Sequence, residues 1–163
     1  MGIGDHILLG FDAVLYGSGA VSLIGLAIPL PLLTVFLGLL TGIVIGSIPG
    51  LAGPMVMAVA LPILISIFGY DTGAFLPVLG FLIGIMKGAT VGGAVPAILF
   101  NTPGTPDALM TTLDGYPMTK RGKAFKALRV AHFSSVSGDT VSDIVLFICA
   151  PFLAIIVEAY LDL

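Results

Sequence analysis

Four apolar runs, separated by short segments rich in proline and glycine, set the pattern of this chain. Residues 5–16, DHILLGFDAVLY, place Ile7 or Leu8, Phe11, and Val14 or Leu15 on one face. That spacing predicts an amphipathic helix, expected to lie at a membrane interface. The first long run, residues 21–48, carries no charge and is long enough to cross about 30 Å of hydrocarbon. Pro29 and Pro31 predict a straight span starting near Pro31, with irregular turns before it. A second run, residues 55–68, is short for a crossing and contains Pro62, so it reads as one arm of a re-entrant or kinked element. The third run covers residues 74–100 and the fourth about residues 130–160, with Pro151 inside it.

Between the runs lie two helix-breaking stretches, SIPGLAGP at 47–54 and NTPGTPDA at 101–108. Proline removes a backbone donor and clashes with the preceding turn, so each stretch ends a helix. Both begin with a polar residue, one intervening residue, then Pro-Gly: Ser47, Pro49 and Gly50 in the first, Asn101, Pro103 and Gly104 in the second. Irregular backbone at membrane depth is tolerated only where protein buries it or water reaches it. Paired interruptions of this kind mark transport sites, because half-helix ends attract ions of either sign. The plainer expectation is two loops at the membrane surface.

Glycines repeat every four residues in two of the runs, at Gly38, Gly42, Gly46 and Gly50 and at Gly80, Gly84, Gly88 and Gly92. Glycine costs about 1 kcal/mol in a helix interior relative to alanine. On one face of a membrane helix, small residues let a second backbone approach closely, which offsets that cost. Each ladder therefore predicts a close helical neighbour.

Composition narrows the class. Of 163 residues, 58% are hydrophobic and 9% charged, with a mean hydropathy of +1.18; soluble domains carry about 25% charged residues. The chain is expected to be an integral membrane protein. Its single cysteine, Cys149, excludes an internal disulfide and a cysteine metal cluster. His6 and His132 form no local metal motif, and no basic stripe points to nucleic acid. No lysine or arginine precedes Lys87, whereas a secretory signal peptide has a basic start. Five of the 6 basic residues, Lys120, Arg121, Lys123, Lys126 and Arg129, fall in one loop and the helix start after it. By the positive-inside rule that loop is cytoplasmic, leaving Asp71, Glu158 and Asp162 on the outer side.

Two sets of charged residues inside apolar runs call for a role. Lys87 either snorkels to an interface or pairs with an acid of an absent partner, or it faces a cavity and attracts a carboxylate substrate. Asp139 and Asp143 share a helix face flanked by Ser135 and Ser142, a stripe suited to a cation, a proton relay or a subunit contact, or else simply the wet end of the helix. An intramembrane aspartyl enzyme is disfavoured, since its acids sit on two facing helices, and no Gly-x-Ser-x-Gly or His-Glu-x-x-His element is present.

Three blocks carry a family resemblance: GIVIGSIPGLAGP at 42–54, GATVGGAVPAILFNTPGTPDA at 88–108, and TTLDGYPMTKRGKAFKAL at 111–128. The chain resembles the N-terminal third of the large membrane subunit of tripartite tricarboxylate transporters. The resemblance implies an all-α integral membrane protein, about three to four transmembrane helices with broken or re-entrant segments at the Pro-Gly motifs. It makes residues 1–163 one membrane domain, with an interfacial segment at 1–20 and a transmembrane bundle at 21–163. It implies a cation-coupled secondary transporter of the bacterial inner membrane, multi-pass, carrying small carboxylates such as citrate. Expected partners are a periplasmic solute-binding protein, a small membrane subunit and a second chain supplying the rest of the carrier, in the lipid bilayer. No cofactor is expected beyond a coupling Na+ or H+. The expected site comprises Ser47, Pro49, Gly50, Lys87, Asn101, Thr102, Pro103, Gly104 and Thr105, and Asp114, Gly115, Tyr116 and Pro117 form an expected cytoplasmic loop motif. Met86 and Lys87 stand where the family more often has tyrosines, and Asp139 and Asp143 where it is usually apolar. The competing expectation is a membrane scaffold that packs with partners without transporting.

Overall fold

A computed structural model describes residues 3–16, 20–23 and 26–161. Asp162, expected on the outer side, lies outside the described residues, as does part of the 1–20 interfacial segment. Among the described residues the elements are helical apart from one short strand pair. Helix α1 spans Ile3–Tyr16, and Leu8 and Phe11 on it are exposed, as are Asp5 and Asp12. Strands β1 (Ala20–Leu23) and β2 (Leu26–Pro29) pair antiparallel. This corrects the expectation of irregular turns: Pro29, at φ −56° and ψ 131°, is held extended by its ring and closes the pair where the next helix starts.

Helix α2 runs Leu30–Gly46 with Pro31 in its first turn, and α3 runs Gly53–Phe68 with Pro62 inside it. At 1.5 Å per residue each is about 25 Å long, short of the hydrocarbon thickness. Helix α4, Phe75–Phe100, and the first thirty residues of α6, Ala124–Leu161, are long and apolar enough to cross a membrane. Pro151 does not interrupt α6, which continues past it.

The principal packing is α2 against α4, and the two glycine ladders face each other there. A Cβ on Gly42 would lie 2.9 Å from the Ala89 nitrogen, and one on Gly88 would lie 2.8 Å from the Ile43 nitrogen. A Cβ on Gly46 would meet the Ala89 backbone at 2.6 Å. Each ladder is thus the neighbour the other one needs, except at Gly50, which lies beyond α2 and where a Cβ would meet nothing within 4 Å.

Helix α5, Leu109–Lys120, corrects a second expectation. Asp114, Gly115, Tyr116 and Pro117 lie in a helix, and the connecting loop shrinks to residues 121–123, turned by Gly122 at φ +74°. Tertiary packing overrides the poor propensities of Gly115 and Pro117. Gly115 is buried against Ile98 of α4, where a Cβ would lie 2.7 Å from Ile98 Cγ1. Thr119 Oγ1 donates to the Ile98 carbonyl at 2.8 Å and fixes the same contact. Ala94 and Ile98 of α4 close against Ala127 of α6, completing a small core at the basic end of the protein.

Candidate functional site at the junction of two broken helices

Both Pro-Gly stretches end helices. At the first, Ser47 caps α2: its backbone N–H and its Oγ both donate to the Ile43 carbonyl, at 3.1 and 2.7 Å. Gly50 then takes φ +85°, a conformation that costs about 1–2 kcal/mol for a residue with a Cβ. At the second, Asn101 adopts the left-handed conformation, φ 58° and ψ 27°, and donates its backbone N–H to the Pro96 carbonyl. The Thr102 N–H reaches the same carbonyl at 3.3 Å. This is the cap geometry that asparagine tolerates better than most residues.

The two breaks meet. Gly104 is buried, and a Cβ there would lie 3.1 Å from the Gly46 carbonyl oxygen, the last carbonyl of α2. Thr105 follows against Gly93, whose Cβ would lie 3.0 Å from Thr105 Oγ1. On the adjoining face, a Cβ on Gly92 would lie 3.1 Å from the Ser47 nitrogen. The double glycine at 92–93 therefore opens α4 to both breaks at once. Thr105 is 9% exposed, and its hydroxyl is buried with no hydrogen-bond partner among the described residues. The C-terminal end of α2 and the 101–105 segment leaving α4 converge on this place, and helix C-termini carry partial negative charge. No side chain caps the N-terminus of α3, which begins at Gly53 beside Ala89.

Not every expected site residue gathers here. Ser47, Gly104 and Thr105 do, and Pro103 is half-buried beside them. Pro49, Gly50, Asn101 and Thr102 are exposed at the rim. Lys87 lies elsewhere: its ammonium donates to Asp139 Oδ1 at 3.2 Å and to Asp143 Oδ1 at 2.8 Å, joining α4 to α6. The stripe on α6 and the lone lysine on α4 are one cluster, and the four-residue spacing of the aspartates is what lets both reach one nitrogen. Asp114 lines a separate cavity of about 410 Å³ between α4, α5 and α6, together with Asp107, Thr90, Thr111, Ser134 and Ser135. Gly46, Gly93, Asp107 and Thr90 were not singled out by sequence reasoning as site residues. The adjacent pair Gly92-Gly93 was the available signal for Gly93 and the four-residue ladder for Gly46; nothing local marks the others.

Apolar helices, two of them of spanning length, with α2 and α4 packed through glycine faces and ended at two converging breaks, mark a membrane protein. The model of the tripartite tricarboxylate transporter TctA family matches residues 32–161, and the chain belongs to that family. It is 36% identical over 128 residues to an uncharacterized 52.8 kDa protein in the TAR-I ttuC' 3' region of Agrobacterium vitis. That alignment covers 77% of this chain and 24% of the relative, so the chain spans about a quarter of the relative's length. No solved structure matches.

Proposed function

We propose that the chain builds part of a cation-coupled secondary transporter for small organic carboxylates in the bacterial inner membrane. It works there with a periplasmic solute-binding protein and a small membrane subunit. The observation that carries this reading is the Thr105 hydroxyl, buried and unpartnered where the two broken helices converge. Leaving a buried polar group unsatisfied costs about 1–3 kcal/mol, a cost a structure tolerates where a ligand supplies the missing bond. The carbonyl end of α2 favours a cation, whereas at the start of α3 Pro54 has no N–H and the Met55 and Val56 N–H groups already donate to the Ala52 carbonyl. The breaks then act as re-entrant elements around one hydrophilic site, and the basic α5–α6 turn faces the cytoplasm.

The test is co-expression of the chain with candidate solute-binding and small membrane subunits and with a second chain supplying the rest of a carrier of the relative's length. The co-purified complex is reconstituted in proteoliposomes and offered a panel of di- and tricarboxylates. Accumulation of at least one of them, dependent on an imposed Na+ or H+ gradient, is the expected result. Co-purification with no carboxylate uptake under either gradient would establish the scaffold reading instead.

A further inference from the structure

The Lys87 cluster lies at the depth where charge is hardest to hold. Lys87 sits about 18 Å from the start of α4, and Asp139 about 22 Å from the start of α6, at 1.5 Å per residue. Both positions fall in the middle of the two segments long and apolar enough to span. One ammonium there faces two carboxylates, so with all three ionised the cluster carries one uncompensated negative charge. Such a charge inside a membrane marks a functional group whose partner must be named.

A cavity opens one helical turn from the cluster, and Lys87, Asp139 and Asp143 themselves do not line it. On α4, Thr90 lines it and is one helical turn from Lys87; on α6, Ser135 lines it and is one turn before Asp139. The space opens between α4, α5 and α6 at the basic end of the molecule and holds Asp107 and Asp114 in its wall, with no lysine or arginine among its lining residues. Hydroxyls both donate and accept, and Ser135 and Thr90, whose hydroxyl donates to the Met86 carbonyl, are the polar groups between the cavity and the cluster.

We propose that Lys87, Asp139 and Asp143 form a mid-membrane proton-binding site, reached from the cavity between α4, α5 and α6. A hydronium ion in the cavity gives up its proton, an O–H bond forms on the Asp139 carboxylate, and a water molecule remains. Lys87 keeps its three N–H bonds and its shorter contact to Asp143. The cluster passes from one net negative charge to none, and release reverses the step. A metal ion is a poorer occupant, because the lysine nitrogen already fills the space where both carboxylates converge. Among the described residues no group of three or more His, Cys, Asp or Glu is placed to hold one. The titratable groups around the cluster are Asp107 and Asp114 across the cavity and half-buried His132 two turns earlier on α6; α2 and α3 contribute none. As a coupling site this rests on the transport reading, whereas proton binding itself does not.

Infrared spectra of the full chain in lipid nanodiscs, recorded across a pH series, test it. The expected result is a neutral carboxylic acid band that grows with acidity, is unchanged when NaCl replaces choline chloride, disappears in Asp139→Asn and persists in Asp107→Asn. Asp139→Glu keeps the carboxyl and should move the band to a glutamic acid position, which guards against an asparagine variant that fails to fold. An Asp139 band that grows only together with that of exposed Asp107, or a band removed by sodium, overturns the proposal. If the band behaves as expected but uptake ignores a proton gradient, the proton site stands and its place in transport falls.

Discussion

Placing an alanine at Gly84 is expected to force α2 away from α4 and destabilise the protein by about 3 kcal/mol, the upper range for overpacking. A Cβ at that position would lie 2.7 Å from the Leu39 nitrogen and against the Val35 carbonyl oxygen. Both are backbone atoms of a neighbouring helix, so no rotamer change relieves the contact and the helix axes must separate. The same contact recurs along the ladder at Gly42, Gly46 and Gly88, and separation at one rung weakens the others. Gly138 of α6 provides the contrast, because a Cβ there meets nothing within 4 Å. Gly138→Ala should gain up to about 1 kcal/mol from helix propensity alone. Reversible unfolding in mixed micelles measures both. Equal stabilities for Gly84→Ala and Gly138→Ala would mean that the ladders are not in contact.

Thr105→Val should separate stability from function. Valine keeps the shape of threonine and removes the orphaned hydroxyl, so the folded protein should be unchanged or more stable by about 1 kcal/mol. Transport should suffer. A lost hydrogen bond to a charged ligand is worth about 1.5–3 kcal/mol, and each 1.4 kcal/mol is tenfold in affinity. Carboxylate uptake at limiting cation should fall about ten- to a hundredfold, with the variant still inserted and folded. Thr105→Ser, which restores the hydroxyl, should recover most of it. Full uptake by the valine variant would leave Thr105 without a functional role.

The two ladders and the two breaks were legible in the sequence because glycine spacing and Pro-Gly pairs act locally. That the ladders face one another follows from neither alone; it is a property of the pair. The Asp-Gly-Tyr-Pro segment reads as a loop because glycine and proline dominate local propensity, yet burial of Gly115 on Ile98 and the Thr119 hydrogen bond hold it helical. Strand pairing before Pro31 was hidden for a similar reason, since the partners are too short to show alternation. Lys87 and the aspartates were visible as anomalies, but their separation of 52 and 56 positions conceals that they touch. The same is true of the cavity, whose walls come from distant segments.

Cross-linking puts the meeting of the interrupted helices to its most direct trial. In a Cys149→Ala background, Ser47→Cys and Thr105→Cys are introduced, the membranes are treated with a short thiol-reactive bifunctional reagent, and the digest is read by mass spectrometry. Efficient linkage of 47 to 105 within one chain is predicted, with little linkage when the second cysteine is moved to exposed Tyr70 at the far end of α3. Linkage of 47 to 70 without linkage of 47 to 105 would contradict a shared junction.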